Sequence, residues 1–393
     1  MSQDPVVIVN GARTAMGGFQ GALASLSAPE RGAASIKAAL ERAGVKPEQV
    51  DDVIMGCVLP AGLKQGPARQ AMRQAGLPDA TGAVTVNKLC GSAMRAAMFA
   101  HDQILAGSSD IVVAGGMESM SNAPYVLTKA RGGMRMGHGQ AYDHMFLDGL
   151  EDAETGRLMG SFAQEVADKR GITREAMDAF AIESLNRANA AIANGWFKDE
   201  ITPVTVSTRK GEVVVDSDEQ PGNANVAKIP TLKPAFAKDG TVTAANASSI
   251  SDGSSALVLM KQSKAAELGL SPQARIVAHS TNSRHPSEFT IAPCGAIEKV
   301  LSKAGWTVAD VDLWEINEAF AMVTMIPMQE FSLDHAKVNI HGGACALGHP
   351  IGSTGSRIVL SLIHALQRTG GKKGVAALCI GGGEATAMAI ELL

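Results

Sequence analysis

The sequence predicts an α/β protein made of two halves of similar plan, with a segment of different character inserted between them. Short apolar, β-branched runs alternate with stretches of helical apolar spacing, and the same order recurs in the last third of the chain. Residues 122–248 break this pattern with many Gly, Met and Asp residues. The chain has 393 residues, 46% of them hydrophobic, which is ample for a large core.

The first half shows strands and helices in regular alternation. Strands are predicted at 6–10, 52–58, 84–87 and 111–116, and helices at 33–43 and from Cys90 to Gly107. This order predicts a mostly parallel sheet, because parallel strands need crossover helices between them.

The last third repeats the plan. Strands are predicted at 275–280, 312–317, 338–343 and 374–383, and helices at 296–304 and 356–368. A Val-Asn pair precedes both Cys90 and His349, and each pair leads through glycines to a helix. The two halves are therefore interpreted as a duplication.

Composition and charge exclude several classes of function. The net charge is −4 and no long Lys/Arg run occurs, so nucleic acid is an unexpected partner. We expect no membrane segment and no signal peptide, since the sequence shows no run of 18 apolar residues and no basic start. Five widely spaced cysteines predict free thiols and a cytoplasmic protein. No C-x-x-C or H-E-x-x-H occurs, so no metal site is predicted.

Cys90 stands between a predicted strand and a predicted helix. At such a junction, free N–H groups and the helix dipole lower a thiol pKa, and the same groups can bind an oxyanion. A single cysteine in this position is more often a small buried hydrophobe. The catalytic interpretation therefore depends on other reactive residues.

Two such residues lie among glycines near the C-terminus. His349 precedes a proline in a Gly-rich segment, and histidine is the usual base for a cysteine nucleophile, although alone it is as easily a hydrogen-bonded turn residue. Cys379 ends an apolar strand just before Gly381 and offers a second sulfur as a base. The remaining cysteines, Cys57, Cys294 and Cys345, are interpreted as structural.

Asn317 ends a predicted strand, and an acid in the first turn of a predicted helix follows it. Asn317 either caps that helix or orients a water beside His349. The pattern does not choose between the two interpretations.

Five blocks together resemble the thiolase family along essentially the whole chain: CGSAM at Cys90, GGMESMS at 115–121, NEAF at Asn317, GGACALGHPIGSTG around His349, and CIGGG at Cys379. The resemblance implies the thiolase fold, in which two βαβαβαββ halves form a five-layered α/β/α/β/α core. It implies a first half from 1–121 and 249–270, an inserted loop domain from 122–248 that binds CoA and joins subunits, and a second half from 271–393.

The resemblance also implies catalytic roles. Cys90 is expected to accept an acyl group, His349 to take the thiol proton, and Cys379 to remove a proton from the second substrate. A water held by Asn317 and His349 is expected to form one oxyanion hole, and the amides of Cys90 and Gly381 the other.

The coenzyme A contacts expected from motif position are Met159, Phe236, Ala244, Ser248 and Phe320. The chain departs from the family pattern at Leu158, at Pro221–Gly222 and at His341, where the family commonly carries histidine, arginine and asparagine. These changes bear on CoA affinity and acyl chain length.

Among thiolases, the VNIHGG, HPIG and CIGGG blocks are most similar to those of acetoacetyl-CoA thiolases. The implied activity is acetyl-CoA C-acetyltransferase, a ping-pong Claisen condensation through acyl-Cys90, together with the reverse thiolysis. We expect no metal or redox cofactor, acyl-CoA substrates and a homotetramer. The alternatives are a broader 3-ketoacyl-CoA thiolase and, in another class, a thiolase-fold acyl-CoA or lipid carrier without turnover.

Overall fold

The structure, a computed structural model, describes residues 4–393. The strands are β1 Val6–Arg13, β2 Gly17–Gly18, β3 Asp52–Gly56, β4 Gly82–Val86, β5 Ile111–Ser119, β6 Tyr125–Val126, β7 Tyr142–Asp143, β8 Val204–Thr208, β9 Gly211–Val215, β10 Ser251–Lys261, β11 Ala274–Ser283, β12 Leu313–Ile316, β13 Lys373–Ile380 and β14 Glu384–Leu392. The α-helices are α1 Ala28–Ala43, α2 Pro67–Gln74, α3 Ser92–Leu105, α4 Met159–Arg170, α5 Arg174–Ala193, α6 Glu219–Asn223, α7 Gln262–Glu267, α8 Ala292–Ala304, α9 Ala321–Glu330, α10 Ala344–Leu347 and α11 Thr354–Thr369.

The main sheet is mixed, so the prediction of a mostly parallel sheet is wrong. Its order is β12-β13-β14-β11-β1-β10-β5-β3-β4, with β2 beside β10. Only the β3–β4, β3–β5 and β12–β13 pairs are parallel among the described strands. Alternation identifies strands that a helix connects, but β14 follows β13 through a tight turn and β10 follows the insertion, and both pair antiparallel.

The strand order of the first half repeats in the second half, except that one edge strand is reduced to a single bridge. The order β3-β5-β10-β1 in the first half corresponds to β12-β13-β14-β11 in the second half. In the place that β4 takes beside β3, the second half has only a single parallel bridge between Trp314 and Val338. The predicted strand at 338–343 is therefore wrong. Asn339 has φ 46°, and its side-chain amide bonds the N–H and the carbonyl of Ile316, each at 2.8 Å, where a neighbouring strand would pair.

Alternate residues of the strands face different helix layers. In β1, Val7 and Val9 pack with α1 and α2, whereas Val6 and Ile8 pack with α3 and α11. The α3 and α11 layer also contacts strands of the second half, whose other face packs on α8. The layers therefore follow the predicted five-layered α/β/α/β/α order.

Between β5 and β10 the chain leaves the main sheet and forms α4, α5, α6 and the hairpins β6–β7 and β8–β9. Buried Arg13 of β1 pairs with Glu200 at 3.0 Å and with Asp218 at 2.7 Å, which anchors this segment to the first half. Domain limits at 122 and 248 stay a prediction. Within residues 4–393, no helix has both the length and the apolar character needed to cross a membrane.

Candidate active site

One cavity of about 490 Å³ brings together nearly all the residues singled out in the sequence. Its wall includes Cys90, His349, Cys379 and Gly381. All five predicted coenzyme A contacts line it as well: Met159, Phe236, Ala244, Ser248 and Phe320. Asn317 is not part of the wall. The cavity lies where segments of both halves meet the insertion.

The turn between β4 and α3 holds Cys90 in a constrained position. Leu89 adopts φ 46°, a left-handed conformation uncommon for a side chain of this size. The turn closes through two backbone bonds of 3.0 Å, from Gly91 N–H to Lys88 and from Ser92 N–H to Leu89. A Cβ on Gly91 would lie 2.3 Å from Cδ1 of Ile380, so any larger residue there would have to displace the Ile380 side chain.

The electrostatics of Cys90 differ from the prediction. Burial raises the pKa of its thiol to about 11, and the backbone amides of Gly381 and Cys90 oppose this rise only in part. The prediction of a lowered pKa was therefore wrong, because desolvation outweighs the helix N-terminus. Cys90 is partly buried and is a thiol at neutral pH, so attack on an acyl carbon needs a base.

His349 is in the form that such a base requires. Burial lowers its pKa to about 3, which keeps the imidazole neutral at pH 7. Its Nδ1 lies 2.6 Å from Oγ1 of Thr354, and that hydroxyl in turn donates to the carbonyl of Pro350 at 3.1 Å. Since the hydroxyl has one proton, Nδ1 carries the proton of the imidazole–threonine bond. This leaves Nε2 with a free lone pair, and it is buried with no partner among residues 4–393.

The segment that carries His349 is fixed before the histidine by close packing at Gly348 and after it by a hydrogen bond to Glu118. Gly348 has φ 98°, and a Cβ there would lie 2.1 Å from Oγ of Ser251. Buried Glu118 accepts N–H bonds from Val58 at 3.0 Å, Leu59 at 3.1 Å and Gly352 at 2.9 Å. Burial raises the pKa of Glu118 to about 7, while the three amides act in the opposite direction. Glu118 thus ties the His349 segment to the first half.

Cys379 lies at the end of β13, fully buried on the same cavity wall. Burial is the main cause that raises its thiol pKa well above 9.0, and negative charge on Cys90 raises it further. Gly382 and Gly383 follow with φ of 82° and 88° and turn the chain into β14. The structure therefore couples the two thiols electrostatically.

Asn317 ends β12 but does not cap a helix. The helix α9 starts at Ala321 with Phe320 as its N-cap residue, so the capping interpretation is wrong. The expected first-turn acid, Glu318, lies before the helix and bonds Ser184, Asn339 and Cys345. Asn317 is 1% exposed, and neither side-chain heteroatom has a partner within residues 4–393. A buried amide of this kind calls for a water or a ligand atom.

Phenylalanine side chains also line the cavity. Phe320 makes edge contacts with Phe236 at 6.3 Å and with Phe289 at 6.2 Å between ring centroids. Gly160 is required beside them, because a Cβ would lie 2.1 Å from the Phe236 ring. The sequence analysis missed three apolar wall residues that no motif marks, Phe146, Leu150 and Phe289, and also Ile351, which lies in the block around His349. It also missed Thr354, although a hydroxyl shortly after the histidine was a possible signal.

The departures from the family pattern occupy different places. Leu158 lies on the cavity wall, directly before α4. Pro221 and Gly222 lie in α6, off this wall, but the neighbouring Gln220 lines an adjacent cavity. His341 is buried 5.1 Å from the Trp196 ring, outside the wall. Only Leu158 therefore alters the surface that a substrate near Cys90 would contact.

The other cysteines are free thiols away from the cavity wall. Cys57 and Cys294 are buried, and Cys345 is partly buried with its sulfur 3.7 Å from the carbonyl of Glu318. Their interpretation as structural residues stays a prediction.

Comparison with known proteins identifies the family of the chain. The sequence model of the thiolase N-terminal domain matches residues 6–263, and that of the thiolase C-terminal domain matches residues 270–392. The chain is 51% identical to an acetyl-CoA acetyltransferase of Cupriavidus necator and 49% identical to one of Escherichia coli, in each case over 98% of this chain and 99% of the relative. A crystal structure of the Bacillus anthracis acetyl-CoA acetyltransferase superposes with a TM-score of 0.97 at 44% identity, covering 99% of both chains. The predicted fold is thus confirmed, and the chain belongs to the thiolase family.

Proposed function

We propose that the protein is an acetyl-CoA C-acetyltransferase that condenses two acetyl-CoA molecules to acetoacetyl-CoA and CoA, and catalyses the reverse thiolysis. The observation that carries the proposal is the single cavity on which Cys90, His349, Cys379 and Gly381 meet. The family match and the relatives named as acetyl-CoA acetyltransferases support the assignment to acyl transfer.

In the first half-reaction, Cys90 Sγ attacks the thioester carbon of acetyl-CoA and its proton passes to Nε2 of His349. Neutral His349 with a bare Nε2 suits this transfer. The carbon–sulfur bond to CoA breaks, and the departing sulfur takes a proton from Cys379. The products are acetyl-Cys90, the His349 imidazolium and the Cys379 thiolate.

In the second half-reaction, Cys379 removes a methyl proton from another acetyl-CoA, and the resulting carbanion attacks the acetyl carbon on Cys90. Acetyl-Cys90 is uncharged and therefore does not raise the Cys379 pKa as a Cys90 thiolate would. The positive charge of the His349 imidazolium lowers that pKa. The bond to Cys90 breaks, and the leaving sulfur recovers its proton from His349. Every proton is then accounted for, without a metal or redox cofactor.

Polar donors stabilise the charges that develop on oxygen. The amides of Cys90 and Gly381 bond the Cys90 sulfur and suit the oxyanion of the tetrahedral intermediates through which acetyl-Cys90 forms and reacts. The unpartnered amide of Asn317, acting through a water, and Nε2 of His349, once it has taken the Cys90 proton, suit a second oxyanion hole. Each such donor is typically worth about 3–4 kcal/mol.

The direct test is the intact-protein mass after brief exposure to acetyl-CoA, with peptide mapping of the adduct. We expect one acetyl group on Cys90, none in Cys90→Ala, and an unchanged yield in the matched control Cys345→Ala. No adduct despite CoA binding would favour a carrier without turnover. Thiolysis rates with ketoacyl-CoAs of increasing length separate an acetoacetyl-CoA enzyme from a broader thiolase.

The division of labour between the two cysteines has its own test. Cys379→Ala is expected to accept the first acetyl group, because the CoA thiolate leaves unaided, but not to condense it with a second acetyl-CoA. Equal loss of both half-reactions in this variant would contradict the assigned roles.

We also place the protein in the cytoplasm as a homotetramer. Five free cysteines suit a reducing compartment. Large apolar side chains near the β6–β7 hairpin are exposed, with Tyr125 at 70% and Met136 at 95%, and suit a subunit contact. Light scattering should show a smaller assembly when both are changed to serine, and an unchanged one for the exposed control Val214→Ser. An unchanged mass in the double variant would place the contact elsewhere.

A further inference from the structure

Two histidines and one aspartate converge outside the cavity. His101 and Asp102 belong to the last turns of α3 in the first half, and His279 belongs to β11 in the second half. Nδ1 of His101, Oδ1 of Asp102 and Nε2 of His279 all lie within 4.8 Å of one another. The proposed reaction does not use any of them.

The distances within the cluster have the size of edges in a metal coordination shell. Asp102 Oδ1 lies 3.0 Å from each ring nitrogen, and the two nitrogens lie 3.2 Å apart. Ligand atoms about 2.1 Å from a common ion are separated by about 3.0 Å at right angles and by about 3.4 Å at the tetrahedral angle. The two rings are perpendicular, with centroids 4.9 Å apart, so they converge from different directions.

Hydrogen bonds alone account for only part of this arrangement. Two imidazole N–H groups can both donate to the Asp102 carboxylate, which explains the two distances of 3.0 Å. If both rings donate to Asp102, however, Nδ1–H of His101 and Nε2–H of His279 face each other at 3.2 Å between nitrogens, with no acceptor between them. A cation bound to all three atoms replaces both protons and satisfies every contact.

We propose that His101, Asp102 and His279 bind a divalent late first-row cation such as Ni²⁺, Co²⁺ or Zn²⁺. Imidazole suits these ions, and two histidines with one carboxylate leave further positions for water. The side chains of His101 and His279 are 14% and 16% exposed, whereas that of Asp102 is 56% exposed, so an ion can enter from solvent. Lys303, the nearby positive side chain, directs its Nζ to the backbone carbonyl of His279.

A bound ion would connect the two halves of the core, because its ligands come from both. His101 lies ten residues beyond Gly91, about 15 Å along α3, so the ion is separate from the chemistry at Cys90. Asp102 and His279 are 177 positions apart in the chain, which explains why spacing motifs did not reveal the site. Binding of the ion only by the folded state raises the melting temperature.

Titration calorimetry of the tag-free, metal-stripped protein with Ni²⁺ tests the proposal. We expect one ion per chain and a higher melting temperature in its presence. Asp102→Asn keeps the shape of an exposed side chain and is expected to weaken Ni²⁺ binding about tenfold or more, since even outer-shell changes cost 10–100-fold. His279→Gln should act likewise, and the exposed control His138→Gln should bind as the unaltered protein does.

Several results would overturn the site. These are no Ni²⁺ binding by the unaltered protein at millimolar metal, or binding that survives within threefold in both Asp102→Asn and His279→Gln. Thiolate charge-transfer absorption in the Co²⁺ complex would likewise assign the ion to a cysteine. Acetylation of Cys90 is measured separately, so failure of the metal site is distinguishable from failure of the proposed function.

Discussion

Replacement of Thr354 by valine tests how the active-site base is prepared. The Thr354 hydroxyl oxygen accepts a hydrogen bond from Nδ1–H of His349 at 2.6 Å and thereby leaves Nε2 free for the proposed transfer of the Cys90 proton. Valine has the same shape but no acceptor, so the buried Nδ1–H loses its partner. Such a loss is typically worth about 1–3 kcal/mol. If the loss falls on the imidazolium-like transition state, acetylation of Cys90 slows about 5- to 150-fold.

The assay is rapid-quench intact mass at saturating acetyl-CoA, which reports the acetylation rate without condensation. Thr354 is not on the cavity wall, so CoA affinity is expected to stay unchanged. Thr354→Ser retains the hydroxyl and should acetylate within about threefold of the unaltered enzyme, as the loss is confined to removal of the acceptor. The reasoning is refuted if Thr354→Val acetylates at the normal rate. It is equally refuted if the serine variant loses as much, because packing would then explain the effect.

Three further predictions follow from the same geometry. Because the Cys90 pKa is raised to about 11, the rate at which iodoacetamide alkylates Cys90 should rise about tenfold per pH unit from pH 7 to 10, as the thiolate fraction grows. Peptide mapping measures this rate, and a plateau below pH 9 would contradict the assigned pKa. Gly348→Ala should lose acetylation of Cys90, because the new Cβ would clash with Ser251. The control Gly370→Ala, at φ 75° with open space around it, should keep full acetylation and lose only some thermal stability. Equal activity of the two variants would disprove the steric argument. Burial lowers the His341 pKa to about 4 from an ordinary value near 6.5, so protons bind the unfolded chain more tightly than the folded one. The free energy of unfolding is therefore unaffected by this difference above about pH 6.5, and it falls by up to roughly 3 kcal/mol as the pH drops through 4. His341→Asn should therefore flatten the urea-unfolding free energy over that range without changing acetylation, and an equally steep acid loss would be evidence against this account.

The places where prediction failed share a physical cause. The helix N-terminus at Cys90 predicts a low thiol pKa, but the desolvation that raises it depends on everything that packs around the sulfur. Asn317 has the sequence context of a helix cap, yet the chain continues to Ala321 before the helix begins. The predicted strand at 338–343 is a single bridge because the side chain of Asn339 takes the place of backbone partners.

The sequence by itself determined the alternation of strands and helices in both halves and the family, and it predicted which residues carry the chemistry. These properties are local: they depend on residue type, short spacing and the apolar period along each element. Only the tertiary structure decided the antiparallel pairing of β10 and β14, the high pKa of the Cys90 thiol and the tautomer that Thr354 gives to His349. It alone also brought Asp102 and His279 together. Pairing, desolvation and convergence of distant side chains depend on the whole fold, and no window of the chain contains them.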